Sequence, residues 1–106
     1  APVPVAQSDE AAPDEATPGT ASAADLMNQA NRAYDRGDVE RARGLALQVL
    51  ADDPDNVRML RLVVSSACIA GDADEARAFY AQLTGASDRA QMETRCARFG
   101  VELGGR

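Results

Sequence analysis

The sequence predicts an all-α fold of stacked helical hairpins, two repeated pairs closed by a C-terminal capping helix, and three observations point there. Hydrophobic residues make up 45% of the 106 residues, yet aromatics only 4%, with no Trp. The core must therefore be assembled mainly from Ala, Leu and Val, which suits closely packed helices better than sheet surfaces. From residue 23 onward the apolar residues recur at the i, i+4, i+7 spacing of an amphipathic helix. The dipeptide Gly37-Asp38 also returns as Gly71-Asp72, and each copy stands between two such helical stretches.

Residues 1–22 form a separate regime. They hold four of the five prolines (Pro2, Pro4, Pro13, Pro18), four acids (Asp9, Glu10, Asp14, Glu15) and no basic residue. Ordering such a segment costs roughly 1–2 kcal/mol per residue of backbone entropy, and only Val3 and Val5 could repay it by burial. The expectation is a disordered, extended linker of polyproline character, with docking of Val3 and Val5 into a groove as the alternative. No charged and apolar leader pattern precedes it, and without an initiator Met the chain reads as a mature or excised fragment.

The helices follow in order. Ser22 ahead of Ala23-Ala24-Asp25 makes a capping box for a first helix over 23–36, with Leu26, Ala30, Ala33 and Tyr34 on one face. Gly37 suits a left-handed stop, and Asp38 caps a second helix over 39–51 that turns Ala42, Leu45, Ala46, Val49 and Leu50 inward. Pro54 breaks the chain, and Asp55 or Asn56 restarts it. The third helix, 57–70, carries Leu60, Val63, Val64 and Ala67 inward. Asp72-Ala73-Asp74-Glu75 is a second capping box, opening a fourth helix to residue 83 through Ala76, Phe79 and Tyr80. Ser87 is the expected cap of a fifth helix, 88–99, whose Ala90, Met92 or Cys96, and Phe99 would cover the open flank. Its outer face would be wetted by Asp88, Arg89, Glu93, Arg95 and Arg98, and residues 104–106 form a frayed, disordered tail.

Gly37, Asp38, Ala42 and Arg43 recur as Gly71, Asp72, Ala76 and Arg77, each 34 residues later. Small residues at 42 and 76 let paired helices approach closely. A helix–turn–helix self-similarity of this period resembles the tetratricopeptide repeat family over residues 23–83. Ala30, Gly37, Ala42 and Pro54 stand at its small, turn, small and proline positions. The second repeat keeps Gly71 and Ala76, but has Val64 at the first small position and Thr84-Gly85-Ala86 where the proline would fall. The resemblance implies an α-α superhelix over residues 23–103. The run Arg95-Cys96-Ala97-Arg98-Phe99-Gly100-Val101-Glu102-Leu103 also resembles the C-terminal ends of myxobacterial multidomain repeat proteins, some with a Ser/Thr kinase domain and others in the envelope.

Cys68 and Cys96 fall late in the third and fifth helices, which as first helices of successive repeats should lie side by side. A disulfide staple and two buried thiols are both open readings. The first places the chain in a periplasmic or other extracytoplasmic compartment, the second in the cytoplasm.

The chemistry is mostly exclusion. A formal charge of −6 opposes a nucleic-acid partner, which rewards clustered positive charge. No apolar run approaches the roughly 18–20 residues of a membrane span, so no direct membrane insertion is expected. With no His and two Cys, the chain lacks the commonest general base and cannot close a cysteine–histidine zinc site. The carboxylates of Asp52, Asp53, Asp55, Asp72, Asp74 and Glu75 fall in turns and helix starts, where they complement exposed N–H groups. No phosphate loop, nucleophile elbow or Cys–His pair is present, so neither an enzyme, a cofactor nor a metal is expected.

Binding remains. The resemblance implies a concave groove lined by the first helix of each pair: Met27, Asn28, Asn31, Tyr34 and Asp35, then Arg58, Arg61, Leu62 and Ser65. It departs from the carboxylate-clamp subfamily, having Met27 in place of a key Lys and no Lys anywhere. The expected function is a protein–protein interaction scaffold that takes a peptide or a partner helix. The alternatives are an oligomerisation domain, with a homodimer formed through its apolar flank, and a regulatory appendage of a larger bacterial protein.

Overall fold

The computed structural model describes residues 22–104. The expectations for the linker therefore lie outside the described residues, apart from Ser22, as do those for residues 105 and 106. Five helices occur among the described residues, and no strand: α1 Ala23–Asp35, α2 Val39–Asp52, α3 Val57–Ala70, α4 Ala73–Tyr80 and α5 Ala86–Ala97.

Four helices start as their sequences dictate. Ser22 Oγ accepts the Asp25 N–H at 3.1 Å, Asp38 Oδ1 that of Arg41 at 3.3 Å, Asn56 Oδ1 that of Met59 at 3.1 Å, and Asp72 Oδ1 that of Glu75 at 3.1 Å. Each bond satisfies one of the first-turn donors that the helix itself leaves free. The second half of the expected Asp72–Glu75 box is used elsewhere, because Arg43 takes the Glu75 carboxylate at 2.8 Å and so ties α2 to α4. The fifth start differs from expectation. α5 begins at Ala86 with Gly85 as its cap, without a side-chain cap bond, and Ser87 lies inside the first turn.

Three helices end in the same hydrogen-bonded reversal. The N–H of Asp38 reaches the carbonyl of Ala33 at 2.9 Å, that of Asp72 reaches Ala67 at 2.8 Å, and that of Val101 reaches Cys96 at 3.0 Å. In each case the residue before the donor is a glycine at φ near +80°: Gly37 at 84°, Gly71 at 81° and Gly100 at 78°. A side chain would be strained there, which is why glycine recurs. α1, α3 and α5 therefore close alike.

The packing follows that order. α1 packs on α2, α2 on α3 and α3 on α4, while α3 also contacts α1 and α5, a repeat-like arrangement of consecutive helices. α3 is the central element and is buried nearly all round, from Met59 and Leu60 through Leu62–Cys68. A helix surrounded by neighbours on every side loses the polar stripe of a surface helix. Ala30, Ala33, Ala42, Ala46, Ala67 and Ala76 are wholly inaccessible, forming the small-residue seam along which the helices approach.

Two expectations at the C-terminal end need correction. α4 stops at Tyr80, short of residue 83. Its last turn tightens, with the Leu83 N–H bonding the Tyr80 carbonyl at 3.0 Å, and Arg89 takes the Leu83 carbonyl at 2.7 Å. Neither Phe99 nor Ala90 covers the flank. Ala90 is exposed and Phe99 is 47% exposed. The reversal at Gly100 turns Val101 back over the last turn of α5, and Val101 and Leu103 close the core in their place. Arg77 fixes that return by donating from Nε to the Glu102 carbonyl at 3.0 Å, much as Arg43, its counterpart one repeat earlier, reaches forward to α4.

Candidate recognition groove

On α3, residues 58, 61, 62 and 65 fall at the i, i+3, i+4, i+7 spacing of one helical stripe. The structure brings that stripe, Arg58, Arg61, Leu62 and Ser65, opposite Asn31 and Tyr34 of α1 and Met92 and Arg95 of α5. Together they enclose an open groove of about 200 Å³. Leu62, Ser65 and Met92 are buried and make the floor, with Ser65 Oγ donating to Met92 Sδ at 3.5 Å.

Six of the nine residues expected at this face line it, and three do not. Met27 shares its stripe with Asn31 and Tyr34 but is drawn to the start of α3. There it packs against the core, and its sulfur accepts from Asn56 Nδ2 at 3.3 Å. Asn28 and Asp35 each follow a stripe residue by one position, about 100° round the helix, and are exposed.

The sequence pattern places Met92 in the cap and Arg95 on the outer surface, yet both line the groove. Arg95 Nη1 lies 3.3 Å from Ser65 Oγ and 3.4 Å from Tyr34 Oη, spanning α5, α3 and α1 with one guanidinium. The usable signal was the glycine at 100, which marks α5 as the end of a third hairpin-like turn and hence as a groove wall. The other charges of α5 also turn inward. Asp88 and Gln91 meet Arg61, at 3.5 Å to Nη1 and 2.6 Å to Nη2. Arg89 lies over the Tyr80 ring, 4.3 Å from its centre, and Glu93 accepts from the Tyr80 hydroxyl. That hydrogen bond, aided by burial and opposed by Arg89, holds the Tyr80 phenol above its ordinary pKa.

The electrostatics of the groove contrast with those of the chain. Its lining carries three guanidinium groups and no carboxylate, on a chain of net charge −6. Arg61 is braced by Asp88 and Gln91, although its Nε is buried without a partner among the described residues. Arg58 is exposed and has no ion pair among the described residues. Guanidinium groups in general pair with anions by two-point N–H donation, and Asn31 and Tyr34 add neutral donors and acceptors beside these.

Just beyond Ser65, Cys68 and Cys96 bring their sulfurs to disulfide distance, with Cα atoms 5.3 Å apart and both residues buried. They join α3 to α5, the two elements that carry all three groove arginines. Among the described residues no helix is long and apolar enough to cross a membrane.

No protein-family model matches the chain. No curated protein and no solved structure matches it either.

Proposed function

We propose that this chain is a non-catalytic, tetratricopeptide-like interaction module whose groove receives a peptide or partner helix bearing acidic side chains. The observation that carries this reading is the concentration of Arg58, Arg61 and Arg95 around one concave surface whose lining holds no carboxylate, Arg61 alone of the three being ion-paired, with Asp88. Guanidinium groups match carboxylates in planar, two-point geometry, and positive potential at a cleft speeds the approach of an anionic partner. Leu62 and Met92 offer the floor a small apolar contact, while Asn31 and Tyr34 suit a peptide backbone. The repeated turns at Gly37 and Gly71 and the buried Ala42 and Ala76 support the family likeness. The cysteine pair at disulfide distance supports an oxidising compartment. The C-terminal likeness to myxobacterial proteins favours a place within a longer envelope or kinase-bearing polypeptide.

The test is a nuclear magnetic resonance titration with a synthetic peptide alternating Glu and Ala, against its Gln–Ala counterpart. The acidic peptide is expected to shift the backbone amides of Asn31, Arg58, Arg61, Ser65 and Arg95, and the neutral one to leave them in place. Shifts spread over α2 and α4, or identical responses to both peptides, would remove the groove as the recognition surface.

A further inference from the structure

We propose that the groove continues past its arginines onto Ile69 and Phe99, and that these two seat a large apolar side chain of the same partner peptide. The inference rests on the proposed function and narrows it, because the acids are then half of the recognised feature and an apolar anchor is the other half.

Ile69 and Phe99 are two of the three large apolar side chains left exposed among the described residues, at 37% and 47%. Helical spacing puts both in line with the groove. Ile69 follows Ser65 by four residues and Leu62 by seven, and Phe99 follows Arg95 by four and Met92 by seven. Those steps keep a residue on one helical stripe, and all four reference residues line the groove. Phe99 stays on its stripe although α5 ends at Ala97, because the chain keeps turning and the Phe99 N–H bonds the Cys96 carbonyl at 2.9 Å. The two stripes also run level. Arg95 Nη1 is 3.3 Å from Ser65 Oγ, and the Cα atoms of Cys68 and Cys96 are 5.3 Å apart. Ile69 and Phe99 therefore flank the same end of the groove, about 6 Å of helical rise beyond Ser65 and Arg95.

Size and charge say what covers them. Two partly exposed side chains offer far less than the roughly 800 Å² per partner of a stable protein interface, so they suit one inserted side chain and not the face of a second copy. A second copy would also bring another formal charge of −6, and like charges oppose that approach. Arg95 borders the apolar pair, so the side chain that reaches them belongs to a peptide whose acid is held there. In an extended peptide, at about 3.1–3.4 Å per residue, a step of about 6 Å is two residues. The partner therefore carries a large apolar residue two positions from an acid.

The test is calorimetric titration of the wild-type chain with the end-capped peptide Leu-Ala-Glu-Ala-Glu-Ala-Leu, and with the same peptide carrying Ala in both Leu positions. Leucine at each end serves either direction of binding. The leucine peptide should bind about tenfold tighter, the gain expected from burying one such side chain. Its leucine methyls should also show nuclear Overhauser contacts to the Phe99 ring, a readout taken on the wild type and independent of how any variant folds. In Ile69→Ala/Phe99→Ala the affinity ratio between the two peptides should fall to about one. Equal affinities in the wild type overturn the proposal, as does a ratio that survives in the variant. Amide shifts at Ile69 and Phe99 that grow with protein concentration in the absence of peptide overturn it too, and make a second copy the occupant. Failure of the wild type to bind either peptide removes the proposed function and this inference with it, whereas equal binding of both removes this inference alone.

Discussion

At the scale of single residues, the chain shows how a side chain's role depends on what stands one turn away. Tyr80 packs in the core while its hydroxyl donates to Glu93 and its ring carries Arg89. Because the folded state holds this phenol above the ordinary value of 10.0, its contribution to stability is intact below pH 10 and fades as pH rises through the folded value. Ultraviolet titration of the phenolate, read as the difference between wild type and Tyr80→Phe, should place Tyr80 above pH 10, and Glu93→Gln should lower it. An unchanged titration in Glu93→Gln would assign the shift to burial alone. Ser66 offers the opposite case, a buried hydroxyl without a hydrogen-bond partner among the described residues. Ser66→Ala removes that unsatisfied group and improves helix propensity, so thermal unfolding should show a gain of about 0.5–1 kcal/mol. A comparable loss would mean the hydroxyl has a partner after all.

Among the secondary elements, α5 depends most on single attachments. Among the described residues it packs chiefly on α3, touching α4 through Tyr80 and α1 through Tyr34. Its hold consists of Met92 and Cys96 in the core, the Arg61 and Arg89 contacts, and the bridge-distance pair Cys68 and Cys96. The cysteines lie 28 residues apart, and closing a loop of that size stabilises by about 3.5 kcal/mol through loss of unfolded-chain entropy. The double variant Cys68→Ala/Cys96→Ala should therefore melt roughly 15 °C lower and lose the groove shifts with the acidic peptide. Thiol assay of the denatured, unreduced wild type should find no free sulfhydryl. Two free thiols, or a melting change under about 5 °C, would show that packing alone holds α5.

For the whole molecule, what was legible in the sequence was what local chemistry determines. The four side-chain caps, the glycine stops at Gly37 and Gly71 and the alanine seam all act within one or two turns, and the sequence carries them directly. The all-helical class and the neighbourhood of Cys68 and Cys96 followed from those elements. Other features turned on contacts distant in the chain. Arg95 reads as a solvated charge on an amphipathic helix until Ser65 and Tyr34 are placed beside it. Phe99 reads as core until the Gly100 reversal delivers Val101 and Leu103 to that position. Met27, on the expected stripe, packs against the core at the start of α3, beside Asn56, 29 residues away. α3 gave the clearest unused hint: residues 62–71 lack any charge, and 62–68 are all buried.

The groove reading stands or falls on the two guanidinium groups without a carboxylate partner among the described residues, Arg58 and Arg95, so calorimetric titration with the Glu–Ala peptide is the most direct test. It should compare wild type with Arg58→Ala/Arg95→Ala, leaving Arg61 to brace Asp88 and Gln91. Two lost charge-assisted contacts of about 1.5–3 kcal/mol each predict an affinity at least about a hundredfold weaker. Equal affinity in the two proteins would contradict the account and return the groove to an ordinary solvated surface.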